Sequence, residues 1–295
     1  WQLGHMPLEP YTEKHNELAA AMRKADPSVR LVAVGSVGAW TEGMLKGCTA
    51  AMDLISEHFY CGQQPGLNGH VRQLANEVRR IATAHRGYRQ QLDALRGKDI
   101  RIALDEWNYW YGPEVFGQIG TRYFVKDALG VAAGLHEFAR QSDIMFMANY
   151  AQTVNVIGCI KTSKTAAAFE TTGLILKLYR ARFGTLPVQT VATPLLDAQA
   201  AWTADRKLLT LGVVNTARAR QDVALNLRGA KLTGGGTRWE LTGEPDSYNE
   251  PGAPPKVVIT EQRLDGLADN RISVAPCSVT LFALPAEANA AATTR

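Results

Sequence analysis

The feature that most constrains the fold is a series of short apolar segments within residues 1–182, each followed by a longer segment with helical spacing. Parallel strands that are buried on both faces are short, apolar and continuous, and helices connect them. The alternation therefore predicts a parallel sheet with helical crossovers. The predicted strands are 31–36, 52–60, 100–111 and 144–150, and the predicted helices are 7–26, 40–45, 70–95, 121–140 and 166–182.

The sequence changes character after about residue 185, where short strand-like runs are separated by glycine and proline clusters. This pattern predicts an antiparallel β-sandwich. The runs are 188–193, 208–215, 222–227, 237–241, 256–260 and 278–283. The glycines at 234–236 are expected to connect two strands rather than to cradle a phosphate, because no helix follows them. We expect a first domain over residues 1–184, a sandwich over 185–285 and a disordered tail over 286–295.

Composition excludes several classes of protein. Hydrophobic residues make up 46% and charged residues 20% of the chain, which is typical of globular proteins, and the net charge is +4. No run of five like charges and no apolar run of membrane-spanning length is present, so we expect neither nucleic acid nor membrane as a partner. The four cysteines form no C-x-x-C pair and no evident disulfide framework. Reduced thiols favour a cytoplasmic location.

The third predicted strand ends abruptly in two carboxylates. The apolar run 102–104 is followed by Asp105 and Glu106, and four of the next five residues are aromatic. Catalytic carboxylates of (β/α)-barrels lie at the C-terminal ends of strands. Alternation along the strand predicts that Glu106 shares a face with Leu104 and that Asp105 takes the other face. The aromatics would form a platform for a sugar ring, whereas the alternative interpretation is an acid that caps the next helix.

Several segments resemble one known family. The string DEWNYWYG, at 105–112, resembles the nucleophile segment of family 51 α-L-arabinofuranosidases, whose pattern is close to D-E-W-N-x-W-Y. MDLISEHFY, at 52–60, resembles the family's strand with an H-x-Y pattern, and MANYAQTVNVI, at 147–157, resembles its M-A-N-x-A-Q-x-V-N-V-I segment. LTGEPDSYNEPGAPPKV and APCSVTLFAL resemble its sandwich loop and final strand. The resemblance extends from Trp1 to about Leu284.

The resemblance implies a fold and an activity. Family members combine a (β/α)8 barrel with a C-terminal jelly-roll sandwich. They remove terminal non-reducing α-L-arabinofuranosyl groups from hemicellulose-derived oligosaccharides and polysaccharide side chains, with retention of configuration and without a metal or cofactor. The expected fold is therefore α/β plus all-β: strands five to eight of a TIM barrel, followed by an antiparallel, jelly-roll-like β-sandwich.

The resemblance also implies roles for individual residues. Glu106 matches the catalytic nucleophile, Tyr60 a tyrosine that hydrogen-bonds the nucleophile, and Gln152 a glutamine that contacts the sugar. His58 is expected to bind substrate because it lies one pleat before Tyr60 on the same face. The residue types alone leave other roles open: a hydrogen-bonded core histidine, an aromatic core residue, and a glutamine bonded to backbone groups.

The second carboxylate of a retaining glycosidase is not apparent. Such enzymes need two carboxylates about 5–5.5 Å apart. In the family the acid/base is the Glu of a G-N-E motif that stands just before a segment resembling WQLGHM, with which this sequence opens. The resemblance therefore implies an acid/base upstream of Trp1 and an incomplete, inactive fragment. Glu9, Glu13 and Glu42 do not lie in that motif. By family analogy, the complete enzyme is expected to be a homo-oligomer, specifically a hexamer.

Two alternatives remain at this point. One is a related retaining glycosidase that acts on another furanoside or on a β-glycan, because related enzymes position their carboxylates similarly. The other is a carbohydrate-binding fragment without catalytic activity. A substrate panel separates the first alternative from an arabinofuranosidase, and the presence of an acid/base separates both enzymes from the second alternative.

Overall fold

A computed structural model describes residues 5–112, 114, 115, 117 and 120–289. The helices are α1 (Leu8–Ala25), α2 (Ala39–Gly47), α3 (Leu67–Gln91), α4 (Val125–Arg140) and α5 (Thr171–Arg182). The strands are β1 (Val32–Ala33), β2 (Leu54–Cys61), β3 (Arg101–Tyr109), β4 (Met145–Tyr150), β5 (Ile160–Thr162), β6 (Ala167–Phe169), β7 (Leu186–Val188), β8 (Leu196–Trp202), β9 (Leu208–Asn215), β10 (Gln221–Ala224), β11 (Ala230–Leu232), β12 (Gly236–Thr242), β13 (Thr260–Leu264), β14 (Arg271–Val274) and β15 (Ser278–Ala288).

The chain forms two compact units. The first unit comprises the residues up to Tyr60, together with Asn76–Asn108 and Gln141–Ala151. The second unit comprises Cys61–Ala75, Tyr109–Arg140 and the residues from Gln152 onward. Among the helices that the structure describes, none is both long and apolar enough to cross a membrane.

The first unit is built on the predicted parallel strands. Its sheet, as far as the described residues show, has the order β1-β2-β3-β4, and β1 pairs in parallel with β2 and β3 with β4. Ile55, Ile102 and Leu104 are completely buried in this unit. Burying a side chain of this size contributes roughly 1.5–3 kcal/mol of hydrophobic free energy. The first unit is thus held together by the continuous apolar runs that predicted its strands.

Helices α1 and α2 of the first unit pack closely. Met44 and Leu45 on α2 are buried in one cluster with Ile55, and Leu8 on α1 packs against that cluster. A Cβ atom added at Gly43 would overlap the Leu8 side chain. A glycine is therefore needed on α2 where the two helices make their contact.

The second unit contains the antiparallel strands. Six strands follow the order β13-β12-β15-β9-β8-β7, β11 also pairs with β15, and β10 pairs with β14 in a separate two-stranded sheet. Leu211 and Phe282 from the large sheet and Ile272 from the small one are buried in a common cluster. These sheets therefore enclose one core, as expected for a sandwich.

A buried polar network fixes helices α4 and α5 to the large sheet within the second unit. His136 on α4 is fully buried, and its Nδ1 lies 2.5 Å from Asp197 Oδ1 on β8, while its Nε2 lies 2.6 Å from the Tyr179 hydroxyl on α5. Burial alone would raise the pKa of the Asp197 carboxyl, but the hydrogen bonds and charges of His136 and Arg140 outweigh it and lower this pKa. A side chain at Gly212 would overlap both Tyr179 and His136, so β9 requires a glycine there.

Several predicted boundaries differ from the structure because tertiary contacts determine them. The helix predicted over 121–140 begins at Val125. The helix predicted over 166–182 begins at Thr171, because residues 167–169 instead pair with β5 as strand β6. The strand predicted over 188–193 is displaced to 186–188, where it pairs with β8.

The prediction of a strand over residues 256–260 is wrong. The strand β13 begins only at Thr260. The Asn249 side chain accepts a hydrogen bond from Val257 N at 2.9 Å and donates one to Val257 O at 2.8 Å. Val257 is buried, and its backbone groups are satisfied by this amide rather than by a neighbouring strand.

The predicted tail is partly strand. β15 continues to Ala288, and residues 286–288 pair with β11. The prediction of disorder is therefore wrong for these three residues, and residues 290–295 lie outside the described part of the chain. The first four residues of the WQLGHM segment, and residues 113, 116, 118 and 119 between β3 and α4, also lie outside it.

Candidate active site

The candidate site lies in the first unit, where strands β2 and β3 are neighbours. The Tyr60 hydroxyl donates a hydrogen bond to Glu106 Oε2 at 2.7 Å. Burial, together with the hydrogen bond and negative charge of Glu106, raises the pKa of Tyr60 well above its ordinary value. The phenol therefore stays protonated at neutral pH and acts as a donor that holds one oxygen of the carboxylate in place.

His58 contacts both carboxylates. Its Nε2 lies 2.7 Å from Asp105 Oδ1, and its Nδ1 lies 3.6 Å from Glu106 Oε2. Asp105 Oδ1 is buried, yet no hydrogen bond of acceptable geometry reaches it from the described residues, so its close contact with His58 lacks the alignment of a hydrogen bond. The His58 side chain is 44% exposed, which excludes the core histidine considered from the sequence.

The strand does not alternate where the carboxylates lie. Asp105 and Glu106 both contact the same imidazole, so the prediction that they take opposite faces is wrong. The pairing between β3 and β4 shifts register between Leu104 and Trp107. An irregularity of this kind changes the direction in which side chains point, and such features occur often beside active sites. Sequence reasoning therefore missed Asp105 as part of the cluster.

Two of the four aromatics of the predicted platform are core residues. Trp107 is buried in the first unit, where its ring meets the Tyr150 ring edge-on at 5.3 Å. In the second unit, Tyr109 is fully buried and the Tyr111 hydroxyl lies 2.8 Å from Asp127 Oδ1. Trp110 remains 44% exposed. Of the four aromatics, Trp110 therefore retains the most surface for a ligand.

The opposite face of β2 carries a polar cluster that the sequence did not reveal. Glu57 is buried, and its Oε1 accepts a hydrogen bond from Thr41 Oγ1 at 2.9 Å and pairs with His85 Nε2 at 2.8 Å. Its Oε2 accepts one from Val37 N at 2.9 Å. Since successive residues of a strand face opposite ways, β2 presents Glu57 to one side and His58 and Tyr60 to the other.

Gln152 lies in the second unit, on the loop that follows β4. Its side chain is exposed, and its backbone oxygen accepts a hydrogen bond from Cys159 N at 3.2 Å. The structure thus brings Glu106, Tyr60 and His58 together within the first unit and leaves Gln152 to a separate unit. Within the described ranges, no three His, Cys, Asp or Glu side chains converge where a metal ion could be held.

A partly exposed carboxylate at the C-terminal end of a parallel strand occupies the position where (β/α)-barrels carry their functional residues. The family model of the alpha-L-arabinofuranosidase C-terminal domain matches residues 105–278, more than half of the chain, and the chain therefore belongs to that family. The resemblance to family 51 α-L-arabinofuranosidases noted in the sequence is confirmed.

Two curated relatives span most of the chain. It is 26% identical over 264 residues to the intracellular exo-alpha-(1->5)-L-arabinofuranosidase 1 of Bacillus subtilis, with 78% of this chain and 52% of that protein covered. It is 29% identical over 314 residues to the intracellular exo-alpha-(1->5)-L-arabinofuranosidase of Streptomyces lividans, with 93% and 47% covered. The chain spans about half the length of these curated relatives.

A solved structure supports the fold. The alpha-L-arabinofuranosidase from Thermotoga maritima, in an arabinose complex, has a TM-score of 0.84 and 25% identity, with 97% of this chain and 64% of that chain covered. The expected fold class, the second half of a (β/α)8 barrel followed by an antiparallel, jelly-roll-like sandwich, is confirmed.

Proposed function

We propose that the chain carries the nucleophile of a retaining α-L-arabinofuranosidase, and that Glu106 is that nucleophile. The observation that carries the proposal is the geometry of this carboxylate. Its side chain is 46% exposed at the end of a parallel strand, and Tyr60 holds its Oε2 by a hydrogen bond. A carboxylate fixed in this way is oriented for attack and accessible to a substrate.

In the proposed reaction, Glu106 Oε1 attacks the anomeric carbon, because Oε2 is already engaged by Tyr60. The new carbon–oxygen bond forms as the glycosidic bond breaks, and a second carboxylic acid protonates the leaving oxygen. The resulting carboxylate then takes a proton from water, whose oxygen bonds to the anomeric carbon and releases Glu106. Two inversions at one carbon retain its configuration.

The acid/base is proposed to belong to a part of the protein beyond these 295 residues. The coverage of the curated relatives, about half of their length, supports this proposal. The division of the chain into a barrel half over 1–184 and a sandwich over 185–285 belongs to the same proposal. The tyrosine and histidine partners of Glu106 would act with an acid supplied by that additional segment, so we do not expect the chain alone to turn over substrate.

The proposed substrates are terminal non-reducing α-L-arabinofuranosyl groups on hemicellulose-derived glycans. His58 is proposed to bind the sugar beside Glu106, and Gln152 is proposed as a sugar-contacting residue on the resemblance alone. The names of the two curated relatives include arabinofuranosidase activity and an intracellular location, which supports a cytoplasmic enzyme. A homo-oligomer, hexameric by family analogy, belongs to the proposal.

The test replaces the nucleophile in the full-length protein that contains this chain. Glu106→Ala should lower kcat on an aryl α-L-arabinofuranoside by at least about 10³-fold, or ~4 kcal/mol of barrier. Azide should partly restore turnover and yield a glycosyl azide of inverted configuration, because the small anion replaces the missing carboxylate. Glu9→Ala, on the exposed first turn of α1, is the control and should retain wild-type kcat.

Two results would overturn the proposal. If Glu106→Ala keeps more than about a tenth of the wild-type kcat, a loss below ~1.4 kcal/mol, this carboxylate is not the nucleophile. If the wild-type protein cleaves aryl β-glycosides and not arabinofuranosides, the chain belongs to a glycosidase with a different substrate.

A further inference from the structure

The loop that carries Gln152 is closed on itself by backbone hydrogen bonds. Cys159 N donates to Gln152 O at 3.2 Å, and Ile160 N donates to Thr153 O at 3.0 Å. In the other direction, Asn155 N donates to Ile160 O at 2.8 Å. The position of Gln152 is therefore tied to the conformation of the whole segment 152–160.

That conformation is strained at its tip. Asn155 has φ 54° and Val156 has φ 50°, both in the left-handed region. Asparagine tolerates this region, but a β-branched valine is a genuine outlier there. Backbone strain of this kind costs free energy and persists only where surrounding contacts enforce it. The loop needs a device that holds it.

Lys161 provides one part of that device. Its side chain is completely buried, and its Nζ donates to Val156 O at 2.7 Å. Thr121 N donates to the same oxygen at 3.0 Å, and the Tyr123 hydroxyl donates to Ile157 O at 2.8 Å. These donors converge on the two carbonyls at the strained tip. A charged donor is the strongest of them because charge-assisted hydrogen bonds exceed neutral ones.

Glu170 provides the other part. It is buried, its backbone N donates to Cys159 O at 2.8 Å, and its Oε2 accepts a hydrogen bond from Tyr123 N at 2.9 Å. Its Oε1 is buried without a hydrogen-bond partner among the described residues. Glu170 thus contacts the end of the loop, at Cys159, and also Tyr123, whose hydroxyl supports the tip of the loop.

We propose that Lys161 and Glu170 are positioning residues that hold the 152–160 loop, and through it Gln152, in the conformation that binds the sugar. The part concerning the sugar rests on the function proposed above. Neither side chain touches substrate in this proposal, and both act through the backbone of the loop.

Stability alone does not account for this pair. Burial raises the pKa of Glu170 to about 7, with opposing contributions from the Tyr123 backbone hydrogen bond, Lys161 and Arg122 and a further raising contribution from Asp127. Burial lowers the pKa of Lys161 to about 8 against the charges of Glu170 and Cys159. The stability contributed by Glu170 is therefore lost as pH rises through about 7, and that of Lys161 as pH falls through about 8. Each charge therefore opposes folding near neutral pH, because a buried charge loses its hydration.

The experiment compares Lys161→Met, Glu170→Leu and the double variant in the full-length protein, with Lys164→Met as the control. Lys164 is an exposed lysine between β5 and β6. The double variant should melt at the wild-type temperature or above it, because apolar side chains replace two buried charged groups. Its KM should rise about 10-fold while kcat changes less than 3-fold. Peptide 152–160 should exchange its amide hydrogens about 10-fold faster in Lys161→Met. The control Lys164→Met should change neither KM nor the exchange rate of this peptide.

The pH profile and a double-mutant cycle connect the pair with Gln152. The wild-type KM should be lowest near pH 7–8, where both groups are charged. The KM of the double variant should vary less with pH, because neither group is present. Gln152→Ala should raise the wild-type KM about 10-fold and that of the double variant less than 3-fold, since the side chain is already displaced there.

The outcomes separate this inference from the proposed function. If the hydrogen exchange of peptide 152–160 is unchanged in all three variants, Lys161 and Glu170 do not hold the loop, whatever the values of KM and kcat. Faster exchange with an unchanged KM overturns the connection with sugar binding. If the wild-type protein cleaves no arabinofuranoside, the proposed function fails. If Gln152→Ala leaves the wild-type KM unchanged, the proposed role of Gln152 fails. In both cases hydrogen exchange still shows whether Lys161 and Glu170 hold the loop.

Discussion

Two glutamates of the first unit, Glu57 on β2 and Glu106 on the neighbouring β3, have opposite environments. Glu57 is 2% exposed, and three groups from the loop after β1, from α2 and from α3 satisfy its oxygens. Glu106 is 46% exposed at its side chain, and the Tyr60 hydroxyl donates a hydrogen bond to one of its oxygens. The same functional group thus serves two purposes on adjacent strands of one sheet.

The two environments suit two different roles, a structural one for Glu57 and a chemical one for Glu106. The Glu57 carboxylate fixes the loop after β1 through Val37, and Gly38 N in that loop donates to the Tyr88 hydroxyl at 2.8 Å. A fully satisfied, buried carboxylate is stable but inaccessible to a substrate. Glu106 retains accessible surface and one oriented oxygen, which is what a nucleophile requires.

The largest effect expected from this comparison is on stability. Glu57→Leu should lower the free energy of unfolding by about 3–5 kcal/mol, because it leaves His85 and Thr41 buried without their partner. Glu106→Leu should change it by at most about 1 kcal/mol, because its carboxylate is 46% exposed and water can replace it as the partner of Tyr60. Urea unfolding of the two variants measures the difference.

A milder variant keeps this prediction measurable if Glu57→Leu does not fold. Thr41→Val removes one of the three hydrogen bonds and should cost about 1 kcal/mol. Equal losses of stability at Glu57 and Glu106 would remove the distinction between the two carboxylates.

A smaller effect is expected at the tyrosine of the candidate site. Tyr60→Phe keeps the ring and removes the hydroxyl that donates to Glu106 Oε2. Hydrogen bonds to charged groups contribute roughly 1.5–3 kcal/mol, so kcat should fall about 10–100-fold with little change in melting temperature. Tyr88→Phe removes a hydroxyl from the Glu57 side of the unit and is the matched control, with kcat expected to stay within 2-fold. Unchanged kinetics with a large loss of melting temperature for Tyr60→Phe would place Tyr60 in the core instead.

The sequence predicted the first unit well because its strands are buried on both faces. Parallel strands of this kind appear as continuous apolar runs, and the run ending at Leu104 led directly to Glu106. The i, i+2 spacing of His58 and Tyr60 correctly gave one shared face. The register shift after Leu104 depends on pairing with β4, so Asp105 could not be assigned to the cluster from β3 alone.

The second unit was predicted less well for physical reasons. β8, with the sequence LDAQAAW, is almost entirely buried and rich in small residues, so it lacks the alternation that identifies an antiparallel strand. β5 and β6 have three residues each, too few for a periodicity. Lysine and glutamate are rarely buried, so nothing in the sequence indicated that Lys161 and Glu170 lie in the core. They come close to the 152–160 loop only when β5 and β6 pair.

The smallest effect is expected at His58. Its substitution tests whether the face of β2 opposite Glu57 serves substrate binding rather than stability. The His58 and Asp105 side chains are 44% and 35% exposed, so solvent screens their contact and limits it to about 1 kcal/mol. His58→Asn should therefore shift the free energy of unfolding by less than about 1 kcal/mol. If His58 binds the sugar in its ground state, KM should rise about 3–10-fold while kcat stays within 3-fold, because uniform binding affects KM alone. Steady-state kinetics on an aryl α-L-arabinofuranoside in the full-length protein measure both constants. If kcat instead fell about 100-fold or more at constant KM, His58 would act only in the transition state, and the nucleophile would then depend on the imidazole as much as on Tyr60.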